Sequence, residues 1–349
     1  MTRRSLIMSA VAMALRKEKV DEAIALIERQ VDSGSVRAAA LHVCQGTQTV
    51  DRAFGAAKMP GAVFLLASIS KPMTASAVML LSDRKQLSLE DRVNKFIPEF
   101  RGGEKDRILL RHLLTHTSGL PDMLPENDAL RQRHAPLKEF VAATCATPLL
   151  FPPGTNVKYQ SMGVLLAAEI VERVSKRRLP DFLRDEIYRP LGMKDTSLGL
   201  GGRDLAATMQ CQVDEHNDWD WNSAYWRNLA SPWGGAHSTA ADIGRFLRYF
   251  VDPTPPVLRP ATVAAMITDQ NRGLNTPWGI GWTLARGFGK HSSPRVFGHG
   301  GSTGTLAWMD PEKGISFVLL TTLPSSHSGK ALLNPVSDVI SEVTWASGG

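Results

Sequence analysis

A chain of 349 residues with 43% hydrophobic and 21% charged side chains is long and apolar enough to bury a large core, as one domain or as two lobes sharing it. Its formal charge of +6 is spread thinly, in short clusters such as Arg16-Lys17 and Lys176-Arg177-Arg178, without the basic stripe interleaved with aromatics that tracks nucleic acid. Cys44, Cys145 and Cys211 lie far apart without metal-ligand spacing, and no stretch approaches the ~20 apolar residues of a membrane-spanning helix.

In chain order, Thr2-Arg3-Arg4-Ser5-Leu6-Ile7 has the pattern of a twin-arginine export signal, and Ala12-Met13-Ala14 would suit a signal peptidase. The apolar stretch from Leu6 to Leu15 is short and runs into Arg16-Lys17-Glu18-Lys19, which a helical extension explains equally. Residues 1–19 are read as that extension or as a weak export signal, with a cytoplasmic protein expected and a periplasmic one as the alternative. Val20 to Val31 is patterned as an amphipathic helix. Ala38 to Val43 and Thr47 to Phe54 read as strands about a Gln45-Gly46 turn. Ala62 to Ala67 is a short buried run that ends at Ser68-Ile69-Ser70-Lys71-Pro72. Proline is tolerated only in a helix's first turn, so a helix through Leu81 begins within a residue or two of Ser68.

From about Leu87 to Ala230, strand-like alternation gives way to helical segments at Arg111 to Thr115, Leu137 to Thr144, Met162 to Ser175 and Leu179 to Tyr188. Thr239 to Val251 is helical again. Strands follow at Trp278 to Ala285, Thr305 to Met309 and Ile315 to Leu323, with a very short one at Arg295 to Gly298, before a closing helix over Ala331 to Trp345. Pro311-Glu312-Lys313-Gly314 reads as the hairpin turn between the last two strands. The expected class is α+β: a five-stranded antiparallel sheet flanked by the N- and C-terminal helices, with an all-helical lobe inserted. Residues 20–80 and 235–349 would form the sheet lobe and 81–234 the helical one, with a site in the cleft between them.

Two serines stand three residues before a lysine, Ser68/Lys71 and Ser82/Lys85. Ser82 sits at a polar helix end, whereas Ser68 lies between Phe64-Leu65-Leu66-Ala67 and the apolar run from Ala75 to Leu81. Burying a lysine there lowers its pKa, which suits a general base near neutral pH. The spacing also puts amine and hydroxyl on one helical face, at the helix N-terminus, where negative charge on Ser68 is favoured. His112 and His116 have zinc-compatible spacing but no recognisable third ligand, so neither a metal nor another cofactor is expected. Trp219, Trp221, Tyr225, Trp226 and Trp233 form an aromatic cluster that reads as core or as pocket lining.

Ser68-Ile69-Ser70-Lys71-Pro72 resembles the first motif of the serine β-lactamase and penicillin-binding superfamily. Arg111-His112-Leu113-Leu114-Thr115-His116-Thr117-Ser118-Gly119-Leu120-Pro121 is similar to a hallmark loop of its class C-like branch, and Tyr159-Gln160-Ser161 falls where that branch carries Tyr-x-Asn. Phe297-Gly298-His299-Gly300-Gly301-Ser302 takes the place of the Lys-Thr-Gly strand motif. Pro190-Leu191-Gly192-Met193 and Ala236-His237-Ser238-Thr239-Ala240-Ala241-Asp242 are further branch features, so the ordered set covers roughly Val20 to Val343.

The resemblance implies a β-lactamase/transpeptidase-like fold and an acyl-enzyme at Ser68. It also implies that Lys71 and Tyr159 share the proton handling, the phenol being partly ionised beside an ammonium, and that the backbone N–H groups of Ser68 and Ser302 form the oxyanion hole. Ser161, His299, Gly300, Gly301 and Trp233 would contact a small-molecule ester or amide substrate. Two departures bear on substrate: His299 replaces a lysine that holds a carboxylate, and Ser161 replaces the asparagine. The histidine-glycine-glycine strand is similar to that of family VIII carboxylesterases, so the expected activity is hydrolysis of short or medium acyl esters. A D-stereospecific peptidase, a β-lactamase or an acyltransferase would use the same site; a non-catalytic penicillin-binding-like receptor or scaffold would not need it.

Overall fold

The structure is a computed structural model describing residues 15–285 and 287–342; the twin-arginine-like segment and the expected end of the closing helix lie outside the described residues. Helix α1 (Lys17–Asp32) buries Val20, Ala23 and Ile27 on one stripe, spaced at three and four residues as a helix covering a sheet requires. The sheet beneath it has six antiparallel strands, lying side by side as Gln48–Gly55, Ala38–Gln45, Ile315–Thr321, Thr305–Asp310, Phe297–Gly301 and Thr283–Leu284. They are β1 (Ala38–Gln45), β2 (Gln48–Gly55), β6 (Thr283–Leu284), β7 (Phe297–Gly301), β8 (Thr305–Asp310) and β9 (Ile315–Thr321).

Strand alternation sorts the sheet's side chains into two cores. Leu41, Val43, Trp308, Phe317 and Leu319 face α1 and the Asn334–Ser341 helix. Trp308 Nε1 donates to Ser337 Oγ of that helix at 2.9 Å, which satisfies an otherwise orphaned indole. Ala38, Ala40, Ala307, Met309, Val318 and Leu320 face the other way, into one continuous core with the helical region. At the β8–β9 hairpin, Asp310 Oδ1 accepts the Glu312 and Lys313 N–H groups at 3.1 and 3.2 Å, and Gly314 supplies the left-handed φ of +61°.

Three details differ from the sequence expectation. The expected strand from Trp278 to Ala285 is reduced to Thr283–Leu284, because Gly279 donates to the Trp282 carbonyl and Gly281 turns at φ +80°. The expected very short strand at Arg295–Gly298 is instead Phe297–Gly301, paired along its length with β8. The second change makes β7 the sixth strand; the first leaves the count unchanged. A second sheet also forms, order β3-β5-β4, from β3 (Phe64–Leu65), β4 (Ser197–Leu198) and β5 (Ala236–Ser238). Its strands are too short to show a period in sequence, yet it fixes the chain just ahead of Ser68.

Helix α2 (Ser70–Asp83) follows one helical turn at Ala67–Ile69 and is buried from Ser70 to Leu81. Pro72 lies in its first turn, where the missing N–H has no intrahelical partner to lose. The Met162–Ser175 helix shares its core, with Gly163 lying so close to Gln160 that a Cβ there would press on the amide.

Candidate active site

Ser68 is presented by a strained approach. Ala67, immediately before it, has φ +48°, a conformation that an L-residue holds only when its surroundings impose it. Those surroundings are identifiable. Leu66 N donates to the Ala236 carbonyl at 2.9 Å, and Ser70 Oγ donates to the Ala67 carbonyl at 2.7 Å while accepting the Ala236 N–H at 2.9 Å. From the other side, Thr303 Oγ1 donates to the Leu65 carbonyl at 2.7 Å and Thr305 Oγ1 to the Leu66 carbonyl at 2.9 Å. Neither threonine was marked as a site residue by sequence; Thr303 sits in the turn after the glycine motif and Thr305 opens β8.

Lys71 Nζ donates to Ser68 Oγ at 3.0 Å and to the Trp233 carbonyl at 3.1 Å, and lies 4.7 Å from the Tyr159 ring centroid. Ser68 is half-buried and Lys71 is 1% exposed. Burial lowers the Lys71 pKa to about 7, opposed in part by the Asp122 carboxylate. The Tyr159 phenol moves the other way: burial holds it above its ordinary value although the facing Ser68 hydroxyl favours ionisation, and Asp122 adds to the rise. Of the pair, Lys71 is therefore the group with a free lone pair near neutral pH.

His299 is buried on β7, its Nδ1–H donating to the Gly300 carbonyl at 2.7 Å, since a carbonyl oxygen can only accept. Burial, then Lys71, pushes its pKa down to about 3, so the ring is neutral and Nε2 is an acceptor. That nitrogen has no partner among the described residues. Tyr159, His299, His116 and Trp278 form one aromatic wall, with His116 4.8 Å from Tyr159 and 4.5 Å from Trp278 between ring centroids. His116 Nδ1 accepts the Gln160 N–H at 3.1 Å and His112 Nδ1 accepts the Leu109 N–H at 3.2 Å, so both histidines are used in holding loops.

Gly301, the last residue of β7, abuts the chain leading to Ser68: a Cβ there would overlap the Leu66 carbonyl oxygen and Thr305 Oγ1. Ser302, next along, is exposed, as is Gly300, while His299 and Gly301 are buried. Ser161 Oγ donates to Asp122 Oδ1 at 2.6 Å, which brings a carboxylate to the site that the sequence reading did not single out. Its only local signal was position, one residue beyond Gly119-Leu120-Pro121. The Trp233 indole packs on Phe140 and Trp226 in the core, so the residue meets Lys71 through its carbonyl. Trp226 is buried too, whereas Trp219, Trp221 and Tyr225 are half-buried.

The alternative serine–lysine pair is placed elsewhere. Lys85 is exposed beyond the end of α2 in a left-handed turn, and Ser82 is on the helix's last turn. Lys85→Ala should leave hydrolysis rates within twofold or so of the parent, as for ordinary surface substitutions; a steady-state assay checks this, and an inactive Lys85→Ala would shift the site to that pair.

The family model described as Beta-lactamase matches residues 23–339 of this chain. Among curated relatives, Esterase EstB of Burkholderia gladioli is 32% identical over 197 residues, which cover 52% of this chain and 48% of that protein. A penicillin-binding protein homologue from Caulobacter crescentus superposes with a TM-score of 0.76 at 24% identity, over 96% of this chain and 99% of its own. D-amino acid amidase from Ochrobactrum anthropi SV3 gives 0.73 at 22% identity, over 92% and 98%.

Proposed function

Because the chain belongs to the beta-lactamase family, we propose that it is a serine hydrolase that forms an acyl-enzyme at Ser68 and acts as a carboxylesterase on short or medium acyl esters. The observation that carries the reading is the desolvated Lys71 amine, pKa about 7, 3.0 Å from the Ser68 hydroxyl. On losing its own proton, Lys71 takes the Ser68 proton as Oγ attacks the ester carbonyl. The oxyanion of the tetrahedral intermediate is held by the Ser68 and Ser302 N–H groups. Collapse breaks the C–O bond to the alcohol, which leaves with a proton returned by Lys71 directly or through the Tyr159 hydroxyl. Water then attacks the acyl-enzyme and gives a proton to the same base, which returns it to Ser68 Oγ as the acyl C–Oγ bond breaks, releasing the acid and the free Ser68 hydroxyl. The site is taken to lie between the two lobes, 20–80 with 235–349 and 81–234.

The ester preference is supported by His299. Where a lysine would hold a substrate carboxylate by charge, a neutral imidazole with a free Nε2 accepts a hydrogen bond and repels no uncharged group. Purified protein is expected to cleave p-nitrophenyl acetate and butyrate and to turn over nitrocefin and D-Ala-D-Ala peptides poorly. Untouched acetate and butyrate together with cleaved D-peptide would overturn the ester reading.

The rate should also follow the Lys71 charge. Below about pH 7 the amine is protonated and cannot take the Ser68 proton, so kcat/KM is expected to climb as pH rises through about 7 and then level off. A pH–rate profile that is flat through that region would show that Lys71 is not the titrating base.

Asp122 favours one second reading. It accepts from Ser161 and forms no ion pair among the described residues, so it offers a partner to a substrate ammonium, as on a D-amino acid amide. If that is the native substrate, Asp122→Asn loses amide turnover and keeps acetate ester turnover; equal loss of both assigns Asp122 to positioning Ser161.

A further inference from the structure

Two depressions in the helical region adjoin, sharing four lining residues, and neither is lined by Ser68, Lys71 or Tyr159. The first, about 390 Å³, is an apolar trough whose walls include Leu137, Val141, Leu165, Leu179 and Leu229. Its two carboxylates are already engaged: Glu169 pairs with Arg173 at 2.6 Å, and Glu172 accepts the Leu179 N–H at 2.7 Å. The second, about 480 Å³, is basic. Arg184 and Arg189 on its rim are neutralised by Asp181 and Asp185. Arg178, Lys194 and Arg203, which also line it, form no ion pair among the described residues. Arg203 is held in place by a hydrogen bond to Ser197 Oγ at 2.8 Å.

Gly201 and Gly202, both exposed, form a left-handed turn in the lining of the basic cleft, φ +64° and +85°, and a Cβ on Gly202 would meet nothing within 4 Å. Backbone is thus accessible to a ligand there. The two depressions share Arg178, Pro180, Asn228 and Ala230 as a common border. A surplus of unpaired cations at one end and buried aliphatic carbon at the other selects a molecule with the matching ends. Neither inorganic phosphate nor a neutral hydrocarbon would use both.

We propose that this joined depression binds a monomeric anionic amphiphile, a single aliphatic chain with a carboxylate or phosphate head. The head lies against Arg178, Lys194 and Arg203 and the chain in the Leu137–Leu229 trough. The basic cluster Lys176-Arg177-Arg178 then has a divided role: Arg177 is spent on Asp185 and Glu186, at 2.6 and 2.7 Å, while Arg178 faces the ligand.

Calorimetric titration of the whole protein with decyl phosphate and with decanoate, below their micellar concentrations, tests this. At least one should bind one-to-one, and whichever does identifies the head; no binding by either overturns the proposal. Decanol and inorganic phosphate should bind roughly tenfold or more weakly than the better of the two, a difference of about 1.4 kcal/mol. The double variant Arg178→Glu/Lys194→Glu and the separate variant Leu229→Asp should each weaken binding roughly tenfold or more, with melting temperatures reporting that the folds persist. If one variant does not fold, the other decides. Equal binding by phosphate alone, equal binding by decyltrimethylammonium, or an affinity untouched by either folded variant overturns the proposal.

Discussion

Ser68→Ala is expected to remove ester turnover, Lys71→Ala to do the same, and the double variant to be little worse than either. Losses in kcat/KM on the order of 10³–10⁶ are the scale for a nucleophile and base that act as one unit. The non-additivity follows from geometry. Lys71 Nζ lies 3.0 Å from Ser68 Oγ, and without that hydroxyl there is no proton for it to take. Intact-protein mass after exposure to a fluorophosphonate should rise by one adduct in the parent and by none in Ser68→Ala. Lys71→Ala should be labelled far more slowly at neutral pH. If Lys71→Ala kept more than about a tenth of the parent activity, the base would have to be Tyr159.

The second large effect is expected one strand away, and it separates two neighbouring glycines. Gly301→Val should cut activity by roughly two orders of magnitude or more and lower the melting temperature, because an overpacked contact of this kind costs about 1–3 kcal/mol before the site itself is disturbed. The new Cβ would overlap the Leu66 carbonyl, the acceptor of the Thr305 hydroxyl, and so prise β7 from the chain that presents Ser68. Gly300→Ala is different: its Cβ would meet Leu306 Cδ1 and the Thr305 carbonyl at 3.8 Å, ordinary contact distances. Its melting temperature should stay at the parent value, so that any change in rate reads the substrate side of the strand. Thermal unfolding and steady-state kinetics on the two variants distinguish them, and equal behaviour would mean that β7 is not a steric support for Ser68.

How much of this was readable beforehand depends on where each signal is stored. The closeness of Ser68 and Lys71 was legible because their spacing puts them on one helical face and the apolar residues on either side imply a buried lysine; the structure buries Lys71 and leaves Ser68 half-buried. Strands such as β1, β8 and β9 were legible as apolar runs bounded by turn residues at Gln45-Gly46 and Pro311-Glu312-Lys313-Gly314. Strand β7 was underestimated because three of its residues, Gly298, Gly300 and Gly301, have low strand propensity; at Gly298 and Gly301 the reason is close approach, since a Cβ would overlap neighbouring backbone. The two-residue strands of the small sheet carry no period at all. Asp122 could not be placed by local pattern, since it meets Ser161 across 39 positions of chain. The phenol's electrostatics were also out of reach, because they depend on burial and on that same distant carboxylate.

Lys71 has one more consequence, for proton linkage. Unfolded, its amine would titrate near 10.5; folded, near 7. Between those values the unfolded chain binds the extra proton, so this side chain makes the folded state gain stability as pH rises from about 7 toward 10.5. Below about 7 the folded protein carries the whole cost of a desolvated ammonium. The residue that readies Ser68 near neutrality is therefore also one that weakens the native state there, and alkaline conditions relieve it.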